Sequence, residues 1–236
     1  MARRILNPRL WKSFLGHLVR GADARLFGVE YQQYHRILRQ LVLQGGCDSL
    51  LDVGCGERSP VAGFAGEIRF RVGVDSHLAS IERSRIAGIH SDYVVANVLA
   101  IGDNFPARSF DCVMLLEVIE HLTRADGEKL LEQCERIARL KVVVSTPNGF
   151  VAQPPQLDNP FQEHISGWTA KEFRSRGYEV TGTAGWKGFR GPLMRPRWRP
   201  HAAFGRLSLL TEAWFEKHPD HAFQILCVKK KAISKD

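Results

Sequence analysis

Four acids and a histidine stand where apolar runs break off, and their spacing decides what chemistry they can share. Leu51-Asp52-Val53-Gly54-Cys55-Gly56 ends a buried-strand pattern in one carboxylate and two glycines. Such glycines permit φ > 0 and bring a ligand close to main-chain N–H groups. Asp75 closes a second apolar run, Arg71-Val72-Gly73-Val74, 23 positions after Asp52. That is near the spacing of about 20 at which nucleotide folds place a ribose-binding carboxylate. Together the two segments predict a site for an adenosine-type ligand cradled by loop amides. Glu117, Glu120 and His121 follow a further apolar run directly. On one helical turn, spacings of three and four set all three side chains on one face, so two carboxylates and an imidazole could converge on one hard cation such as magnesium or manganese.

These residues need a frame that carries them to one edge. Tyr93-Val94-Val95-Ala96, Phe110 to Leu116 and Lys141 to Ser145 have strand patterns, separated by helical stretches such as Arg124 to Ala138. Tyr178 to Thr183 and Ala222 to Val228 add two strands, and Thr169 opens a helix that runs through Phe173 and Arg176 to Gly177. With the runs ending at Val53 and Asp75, the alternation predicts an α/β fold: a seven-stranded, mostly parallel sheet with helices on both faces. In an open sheet of this kind, ligands bind beyond the carboxyl ends of the strands, where Asp52, Asp75 and Glu117 fall.

The 236 residues, 44% hydrophobic, suffice for one sizeable domain. We expect it over residues 31–236, preceded by a basic amphipathic helical segment at 1–30. No apolar stretch approaches the roughly 18 residues of a membrane span, and the arginine-rich start lacks the apolar centre of a secretory signal, so a cytoplasmic protein is expected. Five cysteines without a C-x-x-C pair argue against a zinc knuckle or a disulfide framework and for reduced, buried thiols. The net charge of +8 is concentrated. Arg3, Arg4, Arg9, Lys12, Arg20 and Arg25 face only Asp23 in the first 25 residues. Lys187, Arg190, Arg195, Arg197, Arg199 and Arg206 fall in a proline-containing stretch at about 185–210, which reads as a loop-rich insertion. Leu10, Trp11, Phe14, Leu15, Leu18 and Val19 have helical spacing beside the first cluster. That stripe suits either a helix on a membrane surface or one packed over a cleft.

With these residues assembled, the chain resembles the class I S-adenosylmethionine-dependent methyltransferases from about Tyr31 to Val228. The motifs LDVGCG, VGVD, FDCVMLLEVIEHL and VVVSTPN occur in that family's order and approximate spacing. The resemblance implies a Rossmann-like fold with S-adenosylmethionine as cofactor. Asp52, Gly54 and Gly56 would receive the methionine part, with Glu117 on the same side. Asp75 would hold the ribose hydroxyls, its carboxylate accepting two hydrogen bonds from the vicinal diol. The family usually has an acid near the end of the third strand for the adenine amino group. Here Asn97 stands in that region, able to accept through its side-chain carbonyl.

Two metal-using groups look similar locally: O-methyltransferases of ubiquinone biosynthesis, and enzymes that 2′-O-methylate the 3′ ends of small RNAs. His164-Ile165-Ser166-Gly167-Trp168-Thr169 matches the spacing at which the second group places a further histidine. The carried-over quartet for magnesium or manganese is Glu117, Glu120, His121 and His164, with Glu120, His121 and His164 as catalytic candidates. The same E-x-x-E-H pattern also serves without metal, as a pocket wall or cap, and Trp168 suits a core position. The leading expectation is O-methylation of a small-molecule, glycan or lipid-linked acceptor, acidic or phosphorylated if the basic insertion meets it. RNA 2′-O-methylation and a non-catalytic cofactor-binding protein are the alternatives.

Overall fold

The computed structural model describes residues 32–155 and 160–232. The basic amphipathic segment expected at 1–30 lies outside them.

A helix α1 over residues 32–43 precedes the sheet. The strands are β1 (Ser49–Val53), β2 (Phe70–Asp75), β3 (Asp92–Val95), β4 (Phe110–Leu116), β5 (Ala138–Pro147), β6 (Glu179–Trp186) and β7 (Ala222–Lys230). Their spatial order is β3-β2-β1-β4-β5-β7-β6. β1 to β5 pair in parallel, and β7 runs antiparallel between β5 and β6. The seven-stranded, mostly parallel sheet expected from the alternation is present.

Strand order reverses between β1 and β4, and at that switch point an open sheet leaves a crevice beyond its carboxyl ends. β4 shows why the frame is rigid there. Val113 and Leu115 belong to one buried cluster, with Leu51, Val53, Leu130 and Trp168. Cys112 and Met114 belong to the other, with Tyr34, Leu38 and Leu50. A strand covered on both faces needs an unbroken apolar run, which Phe110–Leu116 supplies around the single acid Asp111. Asp111 is buried and holds the lower edge: its Oδ2 accepts from the amides of Asp48 and Ser49 and from Ser49 Oγ, while Arg139 Nε donates to Oδ1 at 2.9 Å.

The remaining helices are α2 (Leu78–Ile86), α3 (Ile101–Asn104), α4 (Arg124–Ile137), α5 (Ala170–Ser175) and α6 (His201–Lys217). Thr169 and Glu172 form a reciprocal capping box at the start of α5, as the sequence predicts for a helix opened by Thr169.

The insertion is a correction. The stretch after Gly185 contains two short 3-10 turns, but from His201 it is the 17-residue helix α6, reaching past the expected end at 210. No proline falls between Pro200 and Pro219, and the residues after Pro200, His201-Ala-Ala-Phe-Gly-Arg-Leu, carry enough helix formers to propagate. Arg190 is a second correction, since it is not part of a basic surface. It is 1% exposed, with Nε donating to the Ala184 carbonyl and an Nη to that of Met194.

Candidate active site

At the switch point lie two cavities sharing a wall. The larger, about 490 Å³, is lined by Gly54, Gly56, Asp75, Asn97, Glu117 and His121 among others. The smaller, about 300 Å³, is lined by Tyr34, Asp52, Arg58, Ala184, Met194 and Gln224, and again by Gly54, Gly56 and Glu117.

The glycine loop is held by the sheet itself. Gly54 and Cys55 donate their amides to the Val74 carbonyl, at 2.7 and 3.0 Å, and Gly56 donates to Asp75 Oδ2 at 2.9 Å. The expected cradle of free loop amides is corrected at these three positions, whose N–H groups are spent on β2. Gly54 has φ +72°, and a Cβ there would sit 2.3 Å from Val118 Cγ2.

Asp52 is buried, with Oδ2 accepting from Ser59 Oγ at 2.5 Å and facing His90 Nε2 at 2.9 Å. Asp75 keeps one oxygen on Gly56 and the other on the His77 amide at 2.8 Å. Each oxygen retains a lone pair toward the cleft. Asp75 does not cap α2; the cap position is His77, without a side-chain cap bond. Asn97 Oδ1 accepts from the Leu99 amide and caps the following 3-10 turn. With Oδ1 used once, Asn97 keeps a second lone pair and its Nδ2 donor for a ligand.

The Glu117 main chain borders the His121 ring and its carboxylate neighbours that of Glu120, but the carboxylate is held by other partners. With φ +52° Glu117 breaks the turn, and the 3-10 helix begins only at Ile119. Its Oε1 accepts from Ser145 Oγ at 2.5 Å and from Gln224 Nε2 at 2.8 Å. Glu120, His121 and His164, by contrast, bring one potential ligand atom each within 4.8 Å of one another. The single-face arrangement of Glu117 with the other two does not form, because the backbone at Glu117 is left-handed rather than helical.

Segment 164–169 reaches this cluster through the main chain. Ile165 and Ser166 both donate to the Glu120 carbonyl, at 2.9 and 3.0 Å. Trp168 is fully buried, its Nε1 donating to the Ile119 carbonyl and to Ser166 Oγ, with the Arg124 guanidinium 3.9 Å over its ring. The core role for Trp168 holds. His121 and His164 rings lie 4.8 Å apart, and each Nδ1 faces a carbonyl, that of Glu163 at 2.9 Å and that of Val151 at 2.7 Å. A proton on each Nδ1 would satisfy its carbonyl and fix the ring's orientation. Burial lowers the His121 pKa. Glu120 is 2% exposed; Thr146 Oγ1 donates to its Oε2, while its Oε1 is buried with no hydrogen-bond partner. Burial, then the neighbouring Glu117 carboxylate, push its pKa well above the usual carboxylate range.

His90, Ser59 and Gln224 escaped the sequence reading, and Ser145 and Thr146, though within the VVVSTPN motif, were given no role by it. They meet the acids only through strand pairing and loop closure, and no local spacing announces them.

Residues 51–144 match the family model for a methyltransferase domain. The chain carries a methyltransferase domain. The match runs from the glycine loop through Asp75 and the Glu117–His121 stretch into β5, leaving His164 and the insertion outside. A search of curated proteins finds no match. Among solved structures, a SAM-dependent methyltransferase from Archaeoglobus fulgidus aligns with TM-score 0.56 at 16% identity, over 85% of this chain and 92% of that one. The small RNA methyltransferase HEN1 aligns with TM-score 0.58 at 14% identity, over 88% of this chain and 26% of that one. The [4+2]-cyclase SpnF aligns with TM-score 0.55 at 14% identity, over 86% and 82%. These likenesses show the chain's fold, the Rossmann-like class I methyltransferase fold. A cyclase among them illustrates that activity is carried by the site rather than the architecture.

Proposed function

We propose that this methyltransferase transfers the methyl group of S-adenosylmethionine to a hydroxyl oxygen of a small-molecule, glycan or lipid-linked acceptor. The observation that carries the oxygen assignment is the meeting of Glu120, His121 and His164. An alcohol or phenol must lose a proton during attack, and this cluster can assist that loss. In this reading the larger cavity takes the adenosine, Asp75 meeting the ribose hydroxyls and Asn97 Nδ2 a ring nitrogen of adenine. The loop carbonyls around Gly54 and Gly56, with Asp52 and Glu117 nearby, suit the ammonium end of the methionine part.

The donor set fits a divalent cation, Mg²⁺ or Mn²⁺. One carboxylate oxygen is buried without a partner, and two imidazoles are oriented through Nδ1 by main-chain carbonyls. Glu117, bonded to Ser145 and Gln224, belongs to the cofactor side rather than to the ligand set. When bound, S-adenosylmethionine supplies an activated methyl group, and a cation held by Glu120, His121 and His164 supplies Lewis acidity toward the hydroxyl. The chain's own work is to align the acceptor oxygen with the methyl carbon and keep water out. Without a cation, Nε2 of His121 or His164 is the atom that accepts the hydroxyl proton.

Calorimetric titration of Mn²⁺ into protein saturated with S-adenosylhomocysteine, repeated on His164→Ala, tests this. Binding lost in the variant is the expected outcome; no binding to the unaltered protein retires the cation and leaves the histidines as bases. A second reading, RNA 2′-O-methylation, is favoured by one observation, the attachment of the 164–169 motif to the Glu120 carbonyl. RNA affinity that falls steeply with added salt supports it, and no binding at low salt rejects it.

A further inference from the structure

Helix α6 keeps its larger apolar side chains on the side away from the sheet. One side packs on β6, where Gly205, Ser208 and Glu212 are buried. The other presents Ala203, Arg206, Leu207, Leu210, Ala213, Trp214 and Lys217 to solvent, a stripe at spacings of three and four with two basic residues and no acid. Leu210 is 80% and Trp214 64% exposed. A folded helix gains nothing from leaving such groups in water, and contiguous exposed apolar surface marks an interaction site.

The preceding run extends this surface. Arg195, Arg197, Trp198 and Arg199 are all exposed. Trp198 Nε1 donates to the Gly188 carbonyl, Gly188 lies under the ring of exposed Trp186, and Trp186, Phe189 and Phe204 form a continuous aromatic chain back to α6. Among the described residues, Arg195, Arg197, Arg199, Arg206 and Lys217 have no ion-pair partner, whereas Arg36, Arg83, Arg124 and Arg174 each hold a carboxylate.

We infer that α6 and the run Arg195–Arg199 dock the protein on an anionic lipid surface, with Leu207, Leu210, Trp214 and Trp198 entering the headgroup region and the unpaired cations meeting lipid phosphates. Leucines and tryptophans flanked by arginine and lysine are what an interfacial helix requires. The charge pattern decides the occupant. A second copy pairing through the same face would set Arg206 and Lys217 against their own like charges. The chain's first 25 residues have an apolar stripe of their own, but with six cations to one acid they would leave Arg206 and Lys217 facing like charge. A nucleic acid would satisfy the cations but leave the leucine stripe uncovered. Met194, which lines the smaller cavity, immediately precedes the run, so one segment both meets the lipid and walls the site.

The test is co-sedimentation of the full chain with phosphatidylcholine vesicles, with and without phosphatidylglycerol. Binding is expected only with phosphatidylglycerol. Leu210→Glu/Trp214→Glu should weaken it more than about ten-fold, and Arg197→Gln or Arg199→Gln about five-fold each. All these side chains are exposed, so the melting temperature and S-adenosylhomocysteine binding should be unchanged, which separates loss of docking from loss of the fold or of the cofactor site. No binding to either vesicle overturns the inference. So does binding that survives the α6 double variant, binding of single-stranded RNA but not vesicles, or a concentration-dependent dimer that the double variant abolishes without any vesicle binding.

Discussion

Asp75 and Gly54 show how much a single position carries. Asp75 both ties down the loop through Gly56 and faces the larger cavity. Asp75→Ala should abolish S-adenosylhomocysteine binding, read by calorimetry, while the far-ultraviolet dichroism stays native; unchanged affinity removes Asp75 from the cofactor site. Gly54 is constrained twice, by its positive φ and by Val118, which occupies the place a Cβ would take. Gly54→Ala should cost at least about 2 kcal/mol in urea denaturation. Adding Val118→Ala should restore the steric part but not the dihedral part, and full restoration would show that the dihedral costs nothing. Both residues are visible in the sequence, because a glycine and an acid at strand ends have few other uses. Glu117 is the counter-example. Its spacing to Glu120 and His121 looks helical, yet a left-handed backbone at a glutamate has no sequence signal and turns it toward Ser145 and Gln224 instead.

At the scale of elements, strand patterns were legible to within a few residues, because β4 and β5 are buried on both faces and each contains an apolar run, Cys112–Leu116 and Val142–Val144. α6 was not, because the basic residues and prolines before it dominate the local composition and its exposed apolar side blurs the usual two-faced pattern. The join between β1, β4 and β5 also depends on something no periodicity reveals, the acid at Asp111. Burial raises its pKa, but Arg139, Ser49 and the Asp48 amide together outweigh this and hold it below the usual carboxylate range. A carboxyl lowered in the folded state stabilises the protein above its unfolded value, about 3.9, and loses that contribution as pH falls through the lower folded value. Asp111→Asn should therefore destabilise by about 2 kcal/mol at pH 7 and show a shallower acid transition below pH 4. Parallel unfolding curves for both proteins across that range would refute the linkage.

The whole molecule places its two cavities at one end of the sheet and shares Gly54, Gly56 and Glu117 between them. Among the described residues no helix is long and apolar enough to cross a membrane. All five thiols are buried, at Cys47, Cys55, Cys112, Cys134 and Cys227. Burial raises the pKa of Cys55, Cys134 and Cys227. Cys47 differs: its contact with Cys112 lowers its pKa, making it the better nucleophile once reached. Iodoacetamide should thus leave the native protein almost unmodified, and the slow labelling that remains should start at Cys47, between α1 and β1, with Cys134 and Cys227 labelled only on global unfolding. Mass-spectrometric timing of the five adducts would give the chain a built-in clock, reporting which layer of the molecule opens first.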